Sequence, residues 1–156
     1  MALRWSDIDF EKKVIFINRS YNPLYGFSEP KTRNAKRPVT ISNSLVSILL
    51  DHHHRTGGEP EDLVFSNKSG KPISRQNMVT REFYPALERA GLPRIRFHDL
   101  RHTYATLLIS MGENAKFIQR QLGHARITTT LDTYGHLMPE AYEGFGGRFD
   151  SFLFPE

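Results

Sequence analysis

The spacing of apolar residues changes along this chain, from short β-like runs near the start to helical periodicity from Leu45 onward. Ile8 to Phe10 and Val14 to Asn18 are rich in β-formers and are separated by Glu11-Lys12-Lys13, which predicts a hairpin. A third strand is expected at Pro38 to Ser42. Between them, Arg19 to Arg37 reads as a polar loop holding Lys31, Arg33, Lys36 and Arg37, long enough to reach away from the sheet toward a ligand.

Helical spacing then takes over. Leu45, Ile48, Leu49 and His52 recur on one face, Ser42 or Ser44 can cap the start, and Thr56-Gly57-Gly58 ends the helix. A second helix is predicted from Ser74 to Ala90, with Phe83, Leu87 and Ala90 inward, Pro85 bending or breaking it and Gly91 stopping it. Further helices are expected at His98 to Met111, Ala115 to Leu122 and Thr130 to about His136, with Gly112 and Gly123 as stops and Thr128 to Thr130 offering cap oxygens. No internal repeat or low-complexity linker interrupts the series. The pattern is α+β and mainly helical, with a small antiparallel sheet near the N-terminus.

Composition narrows this only slightly. A chain of 156 residues with 38% hydrophobic content supports one domain with a real core. Lys plus Arg number 21 against 17 Asp plus Glu, a formal net charge of +4 that favours polyanions without selecting one. With no cysteine, disulfides and thiolate-held zinc are excluded, and a reducing cytoplasm is permitted. No apolar run approaches membrane-spanning length, and the charged start MALRWSDIDF lacks the apolar core of a signal peptide, so a cytoplasmic protein is expected. His52-His53-His54 does not read as a metal site, because successive helical residues point about 100° apart; a polar helix end is the expectation.

The chemistry concentrates between Arg96 and His136. His98 and Arg101 fall on one helical face, where an imidazole and a guanidinium can grip the same phosphate, and Tyr134 follows on a separate short helix. In order, the chain carries His98-Asp99-Leu100-Arg101-His102-Thr103, then Leu122-Gly123-His124, then Tyr134-Gly135-His136. This combination resembles the catalytic C-terminal domain of the tyrosine recombinase (phage integrase) family. The resemblance extends upstream to Leu3-Arg4-Trp5-Ser6-Asp7-Ile8-Asp9 and to Pro30-Lys31-Thr32, which looks like the family's lysine-bearing hairpin.

The resemblance implies that residues 1–156 form one catalytic domain acting on double-stranded DNA in site-specific recombination or integration of a mobile genetic element, through a 3′-phosphotyrosyl intermediate and without metal or nucleotide cofactor. It makes Tyr134 the nucleophile, Arg101 a phosphate fork, His98 a phosphate donor or proton carrier, and His124 a donor from the opposite side. Lys31 would protonate the leaving 5′ oxygen, with Lys36 on the same loop as the alternative. Fixed cations suit a transition state that spreads negative charge over the phosphate oxygens. Arg33, Lys36, Arg37 and Arg126 are candidate contacts to flanking phosphates. Tyr104 and Tyr142 are expected in the core, and His136 is expected to pack or bond locally.

The family has a further active-site arginine in a helix ahead of Leu3-Arg4-Trp5, and an amino-terminal DNA-clamping domain before that. The sequence starts at Met1, so both are expected to be missing from what reads as a fragment of a longer integrase, weak in binding and poor in cleavage. Arg4 does not replace that arginine; pairing with Asp7 is its expected role. The tail from about residue 140 to 156 holds Tyr142, Phe145, Phe149, Phe152 and Phe154, which are expected to dock into a neighbouring protomer or onto their own domain. Two other functions remain open at this stage: a cleavage-incompetent DNA-binding module derived from a recombinase, and a metal-dependent phosphoesterase using some of the seven histidines, for which no ligand motif is visible.

Overall fold

The computed structural model describes residues 1–29, 36–138 and 145–154. After a 3-10 turn at Trp5–Asp7, β1 (Ile8–Asp9) and β2 (Val14–Ile17) form the predicted hairpin, with Ile8 opposite Ile15 and Asp9 opposite Val14. Its turn is fastened by Asp9, whose carboxylate accepts from the backbone and ammonium of Lys12 at 2.8 and 3.0 Å.

The stretch read as a loop contains a second ribbon, β3 (Ser20–Asn22) paired with β4 (Gly26–Ser28). Tyr21 faces Phe27 across it with ring centroids 5.0 Å apart, and Asn22 folds the turn by accepting from the amide of Leu24 at 2.8 Å. Only two short strands are involved, so their alternation is too brief to stand out from a polar loop. β5 (Arg37–Thr40) then returns antiparallel to β2, completing a sheet ordered β1-β2-β5 in which Ile15 faces Val39 and Ile17 faces Arg37.

The helix α1 (Asn43–Thr56) starts where Ser42 Oγ accepts from the amide of Leu45 at 3.3 Å and stops at Gly57. Of its four periodic residues Leu49 alone is fully buried, joining Trp5, Ile8, Ile41 and Val64 in the first core. The histidine run proves to be a fastening: His52 Nε2 meets the carbonyl of Val64 at 2.7 Å and His53 Nε2 that of Gly58 at 3.1 Å. The Arg4 guanidinium pairs with Glu61, not with Asp7, whose carboxylate takes Arg19 at 2.7 Å. The Arg4 backbone meets Asp7 instead, its amide donating to the carboxylate at 2.9 Å and its carbonyl accepting from the Asp7 amide at 3.1 Å. The expected Arg4–Asp7 ion pair is therefore displaced by partners distant in sequence.

The predicted Ser74–Ala90 helix is α2 (Arg75–Met78), a π-helical turn at Val79–Phe83 and α3 (Tyr84–Arg89). The widened turn lies just before Pro85, which brings no amide to the ladder and crowds the preceding turn. Phe83 and Leu87 are half-buried, whereas Ala90 is exposed. α4 (Asp99–Ser110), α5 (Ala115–Leu122) and α6 (Ile127–Tyr134) build the second core from Ala105, Leu108, Ile109, Ile118, Leu122 and Tyr134. Asn114 caps α5 by accepting from the amide of Phe117 at 2.9 Å.

α6 begins earlier than predicted. Arg126 occupies its cap position without a side-chain cap, and Thr130 lies inside the helix, fully buried. A 3-10 turn, Gly135–Leu137, follows α6, and α7 (Phe145–Leu153) carries the tail. No helix among the described residues is long and apolar enough to cross a membrane.

Candidate functional site

α4 sets out the first part of the site. His98 stands at its cap position, exposed, with no side-chain cap bond. Asp99 is held by Arg96, which donates to it from its backbone at 2.9 Å and from its guanidinium at 2.8 Å. That leaves the guanidinium of half-buried Arg101 without hydrogen-bond or ion-pair partner among the described residues. Neither a helix cap nor an ion pair with Asp99 or Glu113 accounts for this pair of side chains. A guanidinium kept half-buried and unneutralised is a standing site for an anion.

His102, one turn beyond His98, ties this face to Tyr134. The two imidazoles meet edge to face with centroids 5.4 Å apart, and His102 Nδ1 lies 2.8 Å from the hydroxyl of Tyr134. Tyr134 closes α6 and is 4% exposed, packed in the second core. The candidate nucleophile is thus also a core tyrosine, with its hydroxyl turned to the histidine face of α4. Sequence reading passed over His102, although its spacing from His98 placed it on the same helical face.

The opposite wall comes from the end of α5. Gly123 takes a left-handed φ of 72°, terminating the helix and turning His124 out of it. Gln119 Nε2 donates to the carbonyl of His124 at 3.0 Å, and His124 Nδ1 meets the buried hydroxyl of Thr130 at 2.9 Å. With Nδ1 engaged, Nε2 is the ring nitrogen left for a ligand. Thr130, expected as a cap, serves instead as this anchor. A threonine inside a run of three gives no sequence signal for such a role.

Arg37 joins the two walls. From β5 its guanidinium reaches the C-terminal end of α5, donating to the carbonyls of Gln121 and Leu122 at 3.3 Å each. These carbonyls lack helical partners, and their partial negative charge favours a cation. A side chain on Gly123 would run into this guanidinium, since an added Cβ would overlap Arg37 Cζ. Burial and the neighbouring charge of Arg101 both lower the pKa of Arg37. Burial first, then Arg101 and Arg37, lower that of His124. Arg37, Arg101 and His124 therefore form one crowded cationic cluster.

The remaining predicted residues are more scattered. Lys36 is exposed and pairs with Glu29 at 2.8 Å, Arg126 is exposed at the start of α6, and Lys31 and Arg33 lie outside the described residues. Tyr104 is 37% exposed and its hydroxyl reaches Gln121 Oε1 at 3.4 Å, so it is not a core residue; Tyr142 lies outside the described residues. His136 is exposed and without a partner among the described residues. One cavity of about 660 Å³ is lined by His98, Arg96 and Tyr84, and another of about 320 Å³ by His124 and Arg37.

The profile described as "Phage integrase family" matches residues 1–141. The chain belongs to the phage integrase family. It is 34% identical, over 90% of its length, to the tyrosine recombinase XerC-like protein of Caldanaerobacter subterraneus subsp. tengcongensis, and 31% identical, over 98%, to the ICEBs1 integrase of Bacillus subtilis. It spans 42% and 44% of those two relatives, less than half of each. Among solved structures, the Tn1549 transposon integrase in complex with circular intermediate DNA superposes with a TM-score of 0.73 at 24% identity, over 97% of this chain and 53% of that one. The catalytic domain of bacteriophage HP1 integrase does so with a TM-score of 0.57 at 21% identity, over 99% of this chain and 74% of that domain. At those identities the structures speak for the fold, which is that of an integrase catalytic domain.

Proposed function

We propose that this chain is the catalytic domain of a site-specific tyrosine recombinase that breaks and rejoins double-stranded DNA. The observation that carries the reading is the meeting of Tyr134 with the His98–His102 face of α4, on the same helix as an arginine whose guanidinium has no partner among the described residues. Membership of the phage integrase family supports it.

In the proposed step the Tyr134 oxygen attacks the scissile phosphorus while its proton passes to His102 Nδ1. The bond from phosphorus to the 5′ oxygen breaks, the 3′ phosphate becomes esterified to tyrosine, and the leaving oxygen takes a proton from Lys31, or from Lys36 in its stead. Arg101 holds two equatorial oxygens with its planar fork, His124 donates through Nε2, and His98 adds a donor at the N-terminal end of α4. The phosphotyrosyl ester conserves the energy of the broken linkage, so another strand's 5′ hydroxyl reverses the step.

Because Tyr134 is buried, the bond to His102 describes a resting position. Attack then requires the 3-10 turn Gly135–Leu137 to yield as DNA seats. The same burial favours a second reading, a DNA-binding module that no longer cleaves.

A duplex carrying a 5′-bridging phosphorothiolate separates the two, because its good leaving group relieves the need for a lysine acid. A covalent protein–DNA band that disappears in Tyr134→Phe supports the enzyme. Retention of the duplex without any adduct supports the module. The tail adds a proposed partner, a second copy of the chain: Phe149, Phe152 and Phe154 of the α7 region are exposed. Loss of self-association on DNA in Phe152→Ser, read by sedimentation, is the expected result.

A further inference from the structure

The cavity of about 320 Å³ beside His124 is lined by four Lys and Arg side chains, of which Lys116 and Arg120 take no part in the proposed chemistry. Lys36 and Arg37 line it from the start of β5, Lys116 and Arg120 from α5, and His124 from just beyond the end of α5. No carboxylate lines it among the described residues. Lys116 and Arg120 are exposed and stand one helical turn apart, and their side chains have no ion-pair or hydrogen-bond partner among the described residues. Like charges at this spacing repel each other. Lys116 also occupies the first turn of α5, where the positive end of the helix disfavours a cation. Protein packing gives neither residue a reason to be basic; an anion in the cavity does.

We propose that this cavity seats a backbone phosphate of the DNA strand next to the one that is cleaved, gripped by Lys116 and Arg120. The inference rests on the reading of the chain as a DNA-cleaving recombinase domain and extends it to residues outside the reacting centre. His124 borders both sites, so a phosphate held here fixes the register of the strand and brings its neighbour over Arg101. Such contacts position the duplex without reading its sequence.

The test is the salt dependence of binding of a short labelled duplex, measured by fluorescence anisotropy between about 50 and 200 mM salt. Wild type is compared with Lys116→Gln/Arg120→Gln and with Lys68→Gln/Lys71→Gln, which removes the same charge from a turn lining neither cavity. The α5 pair is expected to weaken binding equally for unrelated sequences and to make the log–log salt slope shallower by about 1, as for one lost phosphate contact, while the control pair leaves the slope unchanged. Equal slopes for the two pairs, with wild type binding and forming its tyrosine adduct, overturn this inference alone. Absence of duplex binding by wild type overturns it together with the recombinase reading.

Discussion

Nδ1 of His102 and the hydroxyl of Tyr134 lie 2.8 Å apart, joining the first turn of α4 to the last residue of α6. The bond orients a tyrosine whose ring packs in the second core. Tyr134→Phe keeps the packing and removes the bond, which contributes about 0.5–1.5 kcal/mol when both partners are neutral. A modest fall in the melting temperature is expected, together with complete loss of the covalent adduct. His102→Phe loses the same bond but leaves a free tyrosine hydroxyl, so its adduct forms slowly. Adduct formation in His102→Phe at the wild-type rate across the pH range would remove His102 from the proton path.

Arg101 offers a contrast between stability and activity. Its guanidinium has no partner to lose among the described residues, and its charge opposes those of Arg37 and His124. Arg101→Gln is expected to leave thermal stability unchanged or slightly raised, while cleavage falls by about 10²–10³, the usual effect of removing one transition-state donor. The same variant should raise the pKa of His124 toward its ordinary value, followed by the imidazole proton shift in an NMR titration. An unmoved His124 would mean that the two groups do not share a site.

Gly123 is needed for two separate reasons. Its φ of 72° disfavours any side chain, by roughly 1–2 kcal/mol, and the Arg37 guanidinium occupies the space a Cβ would take. Gly112, at φ 78°, has open space in the same position. Both alanine variants are expected to lose stability in denaturant unfolding, Gly123→Ala more than Gly112→Ala. Gly123→Ala alone is expected to weaken duplex binding, because it displaces Arg37 from the end of α5. Equal losses for the two would assign no role to the Arg37 contact.

How much of this was legible depends on whether the cause is local. The β1–β2 hairpin, α1 with its Ser42 cap and the glycine stops at Gly112 and Gly123 follow from neighbours in sequence, and the structure has them where the pattern put them. The His98, Arg101, His124 and Tyr134 boxes were legible as motifs. What they touch was not. Arg4 finds Glu61, Arg37 crosses from the sheet to α5, and Thr130 becomes a buried anchor because His124 folds back onto α6. Each of these depends on packing between elements far apart in the chain. The early start of α6 has the same origin, since burial of Thr130 overrode the cap preference of its hydroxyl.

The depressed pKa of His124 ties both stability and binding to pH, with opposite signs. Burial, Arg101 and Arg37 disfavour the imidazolium in the folded protein. Below the ordinary histidine value of 6.5 the unfolded chain therefore takes up a proton that the folded one resists, and the stability attached to this residue falls as pH falls. Bound phosphate reverses the balance by favouring the charged ring, so DNA binding takes up a proton and tightens as pH falls through the same range. His124→Gln should flatten this part of both profiles, read as melting temperature against pH and as duplex affinity against pH at constant ionic strength. The decisive quantity is the difference between wild type and His124→Gln. Duplex affinity with the same pH dependence in both would place His124 outside the phosphate's reach.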